Sequence, residues 1–292
     1  MMRKTLLVTF LLLVVYSSWI HKFGHTISRS AQTIEQRNIV KAEEFLYESK
    51  QNFDTLILGS SLSSRLLLDS LPNGCRDLSF GGLSAREGLQ LITMSDRTPK
   101  LILIEINTLS LPKSDFLSNV ADGSYWQTAK KYLPFFRQKY QPVGVLKALV
   151  RDWHYGKTRT IIPETAFRVD SAVRQRTIYE FTSHQQTQAD SEFRCIFGEI
   201  KNQVNLLRQR GASVVFFEVP TEAELQTLPV ARQIRRYICE YFPEPAYTHI
   251  KLPQEPYVTT DGIHLTYRDS GRFTAYLKQQ LEGSMMLANT NR

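Results

Sequence analysis

Two short stretches, far apart in the chain, carry side chains whose types and spacing suit them to chemistry. GSSLS at 59–63 follows the apolar run DTLIL and crowds the hydroxyls of Ser60, Ser61 and Ser63 at its end. A serine hydroxyl is inert as a nucleophile until a base takes its proton. DGIHL at 261–265 offers one, because Asp261 and His264 stand three residues apart in a turn. That spacing lets the carboxylate accept a hydrogen bond from imidazole Nδ1 and leaves the other ring nitrogen to face a serine as general base. The chemistry is acyl transfer through an ester on the serine. Each part also has a structural reading, Ser61 as a helix N-cap and Asp261 with His264 as a hydrogen-bonded turn.

The elements that must bring these residues together follow from periodicity. DTLILG (54–59), CRDLSF (75–80), KLILIEIN (100–107) and ASVVFFEVP (212–220) read as β-rich runs, with AYTHIKL as the weakest strand signal. Between them LSSRLLLDSL, SAREGLQLITMSD, SEFRCIFGEIKNQVNLLRQRG, TEAELQTLPVARQIRRYICEYF and TYRDSGRFTAYLKQQLEG have helical spacing, the third closing at Gly211. Strands alternating with helices predict an α/β fold, a central parallel sheet covered on both faces in three α/β/α layers. Reactive groups of such sheets gather at the carboxyl ends of the strands, where helix N-termini also point. Ser61 stands at that place after the first strand.

With these placements the chain resembles the SGNH/GDSL hydrolase family, and four separated blocks carry the likeness. GSSLS is similar to the family's Gly-Asp-Ser-Leu-Ser block, with Ser61 on the nucleophile and Ser60 where the aspartate stands. LSFGGLSA resembles the second block, in which Gly82 rather than Gly81 falls on the glycine whose N–H enters the oxyanion hole. LIEIN resembles the third, Gly-x-Asn-Asp, with Asn107 on the side-chain oxyanion donor, Glu105 in place of glycine and Thr108 in place of aspartate. DGIHL matches Asp-x-x-His at Asp261 and His264. The resemblance runs from residue 54 to about 282 apart from an insertion, and implies a flavodoxin-like SGNH fold. It implies a Ser61–His264–Asp261 triad and an oxyanion hole made by the N–H groups of Ser61 and Gly82 and the Asn107 amide. Gly82 and Asn107 also have structural readings as turn formers. Glu105, in an apolar strand near its end, reads either as buried beside the site or as paired with an arginine such as Arg65 or Arg86, with no further role in this scheme.

Residues 1–21 begin with Arg3 and Lys4 and continue without charge from Thr5 to Ile20. They read as a signal anchor, with Trp19 and the following HKFGH at a membrane boundary, or as a signal peptide that is removed. Residues 22–51 read as a polar helical stalk, and 52–292 as the α/β domain with a mainly helical insertion at about 110–190. That insertion holds twelve Lys/Arg against seven Asp/Glu and twelve aromatics, and is expected to be a folded cap. Its stretch from 129 to 153 suits a solvated basic face, anionic lipid headgroups or an anionic polymer.

Cys75, Cys195 and Cys239 are widely spaced, giving neither a disulfide framework nor a zinc site; they are expected to be free and buried. No metal and no cofactor is expected. His21, His25, His154, His184 and His249 read as ordinary polar residues. The net charge of +8 alone does not argue for nucleic acid, and an export signal argues against it.

The expected function is a serine acyl-ester hydrolase or O-acyltransferase acting on an envelope glycan or lipid, membrane-anchored on the extracytoplasmic side. Two alternatives stand beside it. One is an accessory or binding protein of a membrane O-acyltransferase system, a partner suggested by resemblance alone. The other is a secreted esterase for small esters.

Overall fold

The computed structural model describes residues 2–27, 30–48, 53–71, 74–112, 114–121, 125–155, 168–183 and 187–290. His184 lies outside them. The chain divides into two compact units. One holds residues 51–114 and 162–292; the other holds residues 1–50 and 115–161.

The first unit is an α/β body around five parallel strands: β1 (Thr55–Leu58), β2 (Cys75–Asp77), β3 (Leu101–Glu105), β4 (Ser213–Phe217) and β5 (Thr248–Ile250). Their order across the sheet is β2-β1-β3-β4-β5. β1 and β3 are buried at every position, as expected of a parallel sheet with apolar residues on both sides. The connecting helices are α3 (Ala85–Thr93), α7 (Ser171–Ser183), α8 (Asp190–Gln209), α9 (Ala223–Gln226), α10 (Pro229–Tyr241) and the closing α11 (Tyr267–Thr290).

Alternation along the strands sorts side chains between the two faces. Ile57, Leu103, Val215 and Phe217 join Phe273, Leu277 and Leu281 of α11 in one cluster. On the other face Phe216 meets Phe242 at 4.6 Å between rings and stacks on His249. Gly88 lets α3 approach Leu58 closely, for a Cβ there would stand 3.0 Å from a leucine methyl. A capping box of Ser84 and Glu87 starts α3.

Local readings change in three places. LSSRLLLDSL is not a helix but two 3-10 turns, Ser63–Arg65 and Leu68–Ser70. The Leu67 N–H, which an α-helix would bond internally, goes to Thr274 Oγ1 instead, and the Ser63 N–H goes to Glu105. The helix expected over 221–242 is broken into α9 and α10, with Pro229 at the first position of the second. The cysteines are free, yet Cys195 and Cys239 are exposed rather than buried. Cys75 alone is half-buried, and burial with the nearby Asp77 pushes its thiol up to about 12.

The second unit contains α1 (Met2–Phe23), α2 (Ile34–Glu43), α4 (Phe116–Val120), α5 (Tyr125–Tyr132) and α6 (Pro142–Tyr155). α1 is long and apolar enough to cross a membrane or act as a signal, with a mean hydropathy of 1.7. Residues 34–48 are not a solvated stalk, since Ala42 and Phe45 are fully buried. Their acidic run is met by the basic residues further on: Lys130 with Glu43, Arg137 with Glu48, and Lys139 with Glu44 and Glu48. The expected insertion is helical but does not fold as one body. Residues 115–155 belong with the N-terminal segment, whereas α7 belongs with the sheet.

Candidate active site

β1 ends at Leu58, and the chain turns through Gly59, Ser60 and Ser61 at the carboxyl edge of the sheet. Parallel pairing continues past the strands there, Phe80 N–H donating to Gly59 O at 2.9 Å, so the loops after β1 and β2 run side by side. Ile106 N–H, one residue past β3, likewise donates to the O of Phe217, the last residue of β4. The candidate residues therefore collect at one end of the sheet.

Ser61 and His264 meet. Ser61 Oγ lies 2.8 Å from His264 Nε2, and His264 Nδ1 lies 2.8 Å from Asp261 Oδ2. All three side chains are partly exposed, Asp261 at 28% and His264 at 18%. Asp261 is held from several sides. Burial by itself would raise its carboxyl, but hydrogen bonds from the His264 ring and from the N–H groups of His264 and Ile263 outweigh it and hold the group well below the usual carboxylate range. An ionised carboxylate only accepts, so Nδ1 carries the proton it donates to Asp261 and Nε2 is left to accept from the Ser61 hydroxyl. This is the tautomer a general base needs.

The turn bearing this pair is braced from behind. Gly262 takes the left-handed backbone at φ +94, a conformation glycine adopts without strain. Thr259, fully buried, donates its hydroxyl to Glu222 and accepts the Gly262 N–H at 3.1 Å. Glu222 in turn takes a fork from Arg174 of α7, Nε at 3.0 Å and Nη2 at 2.7 Å, while its own N–H donates to Gly262 O at 3.2 Å. Burial opposes ionisation of Glu222, yet Arg174 and Thr259 bring its pKa below the ordinary value.

The loop bearing Ser61 is braced by Glu105, which lies buried beside the site. Glu105, fully buried at the end of β3, accepts Ser60 N–H at 2.9 Å, Ser60 Oγ–H at 2.7 Å and Ser63 N–H at 3.1 Å. The expected arginine pairing is not what Glu105 does. Arg65 donates to Thr260 Oγ1 and Leu265 O, and Arg86 to Leu111 O and Glu199. Gly59 makes room for the arrangement, since a Cβ there would come within 2.7 Å of Glu105 Cβ and run into its carboxylate. The apolar run around Glu105 marked it as buried; which loop it served depends on strand order, which no local pattern carries.

The other oxyanion candidates stand differently. Gly82 is exposed in a turn at φ +74 with open space where a side chain would be. The N–H groups of Ser61 and Gly82 make no hydrogen bond among the described residues. Asn107 is engaged at both ends of its amide, Nδ2 donating to Val219 O at 2.9 Å and Oδ1 accepting Val219 N–H at 2.8 Å. One of its two amide hydrogens remains for an oxyanion. Among the described residues no group of three or more His, Cys, Asp or Glu side chains is placed to hold a metal ion. Comparison of the chain with protein-family models, curated proteins and solved structures finds no match.

Proposed function

We propose that the protein is a serine acyl-ester hydrolase or O-acyltransferase of SGNH type. The observation that carries this reading is the continuous relay from Ser61 Oγ through His264 to the Asp261 carboxylate. The order of the blocks along the sheet edge supports the family likeness: nucleophile after β1, glycine after β2, asparagine after β3, Asp-x-x-His before the last helix. A strand order of β2-β1-β3-β4-β5 supports the flavodoxin-like form of that fold.

In the reaction, Ser61 Oγ attacks the ester carbonyl as its proton passes to His264 Nε2. The imidazolium that forms is stabilised by Asp261, and the carbonyl oxygen becomes an oxyanion facing the N–H groups of Ser61 and Gly82 and the remaining Asn107 amide hydrogen. Donors of this kind are worth about 10²- to 10³-fold each. His264 then gives the proton to the leaving alcohol as the C–O bond breaks. Water attacking the acyl-serine, with His264 as base, completes hydrolysis; a sugar or lipid hydroxyl in its place completes transfer. An envelope glycan or lipid is the substrate class, and Arg3 and Lys4 ahead of apolar α1 favour the extracytoplasmic side for the catalytic unit.

The test is turnover of p-nitrophenyl acetate by the full-length protein in detergent. Ser61→Ala lowers the rate by about 10³-fold or more if the triad works as described. Equal rates in both proteins contradict it.

A further inference from the structure

α6 has two apolar faces. Val145 and Ala148 are buried, whereas Val143, Leu146, Val150 and Trp153 are 68%, 62%, 54% and 87% exposed. Those four recur at i, i+3, i+7 and i+10, one continuous stripe along the helix. Leu146, Val150 and Trp153 also form a wall of an open groove beside Gln32, flanked by Lys147 and Arg151. A bare stripe of this kind marks a surface that something else covers.

What covers it follows from α1, which belongs to the same compact unit. Residues 2–15 of α1 are exposed throughout, and at 1.5 Å per residue they cover about 21 Å. A hydrocarbon core is about 30 Å thick, so a spanning α1 must also commit its next turns. These are already packed against the protein. Tyr16 Oη donates to Tyr140 O at 2.7 Å, and Ile20 is buried with Ile27, Tyr140 and Val145, with Trp19 and Phe135 alongside. Tyr140 and Val145 therefore sit at the depth where the hydrocarbon ends. The first turn of α6 is pinned there too, because a Cβ on Gly144 would stand only 2.8 Å from Ser30 O.

We propose that α6 lies in the plane of the bilayer that holds α1, with the stripe of Val143, Leu146, Val150 and Trp153 seated at the boundary between acyl chains and headgroups. The seat is apolar rather than electrostatic. Lys130, Arg137 and Lys139 are neutralised by Glu43, Glu44 and Glu48, and Arg151 pairs with Asp152. Zwitterionic phosphatidylcholine, with no net charge, is enough to receive the helix, with Lys147 reaching up to the headgroups. The proposal depends on α1 being inserted and is independent of the acyl-transfer reading.

The experiment uses the full-length protein in phosphatidylcholine vesicles carrying brominated acyl chains. Of the three tryptophans, Trp153 is left alone by Trp19→Phe with Trp126→Phe, and Trp19 alone by Trp126→Phe with Trp153→Phe. We expect both emissions to fall by about twofold or more with brominated chains and to resist aqueous iodide, as an interfacial helix requires. Adding Leu146→Glu and Val150→Glu should return Trp153 to iodide while leaving Trp19 unchanged. The proposal is overturned if Trp153 answers to iodide while Trp19 answers to the lipid. It is overturned equally if Trp153 is shielded from both, which would mean that another chain covers the stripe, or if its quenching by lipid requires anionic phosphatidylglycerol.

Discussion

Glu105 Oε2 accepts the backbone N–H groups of both Ser60 and Ser63, at 2.9 and 3.1 Å, and so holds the chain on either side of Ser61. The carboxylate reaches that loop from β3, the strand paired beside β1.

Removing it leaves two buried N–H groups and a hydroxyl without their acceptor, at about 1–3 kcal/mol for each unsatisfied group. Glu105→Ala should therefore lower stability by about 3 kcal/mol or more in urea denaturation. Glu105→Gln, which keeps one acceptor oxygen, should lose less. An alanine variant as stable as the parent would remove Glu105 from this role.

Asp261 supplies a pH dependence whose sign is fixed by its lowered folded-state pKa. An unfolded aspartate titrates near about 3.9, so the stabilisation is complete above that value and fades as pH falls toward the folded one. Asp261→Asn should flatten the loss of stability below about pH 4. At neutral pH it should cut ester turnover by about 10²- to 10⁴-fold, because His264 loses the acceptor that fixes its tautomer. Urea midpoints measured in acid and at neutrality check the first part; an unchanged acid slope would count against it.

Glu222 is a positioning residue for the same turn. Its pair with Arg174, which is 40% exposed, is worth little after solvent screening. Its bond from fully buried Thr259 carries most of the effect. Glu222→Ala should cost about 1–3 kcal/mol of stability and lower the turnover rate with little change in KM, as looser placement of His264 would. Arg174→Ala should do much less of either. Equal effects of the two would show that the ion pair, not the Thr259 contact, holds the turn.

The parts of the site legible in the sequence were those whose signal is local. Asp261 and His264 share one turn, and Ser61 follows an apolar run with strand character, so each could be read from its neighbours. The parallel sheet was legible for the same reason, because strands such as β3 are uninterrupted apolar runs. Glu222 and Thr259 were not, and of Glu105 only burial beside the site was, since each acts on a segment distant in the chain and only strand order and turn geometry bring them together. The turns after Ser61 misled because their leucines have helical spacing, while the N–H groups of Ser63 and Leu67 are spent on Glu105 and Thr274. The grouping of residues 115–155 with the N-terminal segment rests on long-range pairs such as Lys139 with Glu44, which composition does not announce.

Covalent capture reads out whether His264 makes Ser61 a nucleophile. Full-length protein treated with a fluorophosphonate at neutral pH should gain one adduct by intact mass, mapped by peptide sequencing to Ser61. His264→Ala should slow its formation by about 10²-fold or more. A protein that stays unmodified, an adduct on another serine, or equal labelling rates with and without His264 would mean that His264 does not activate Ser61.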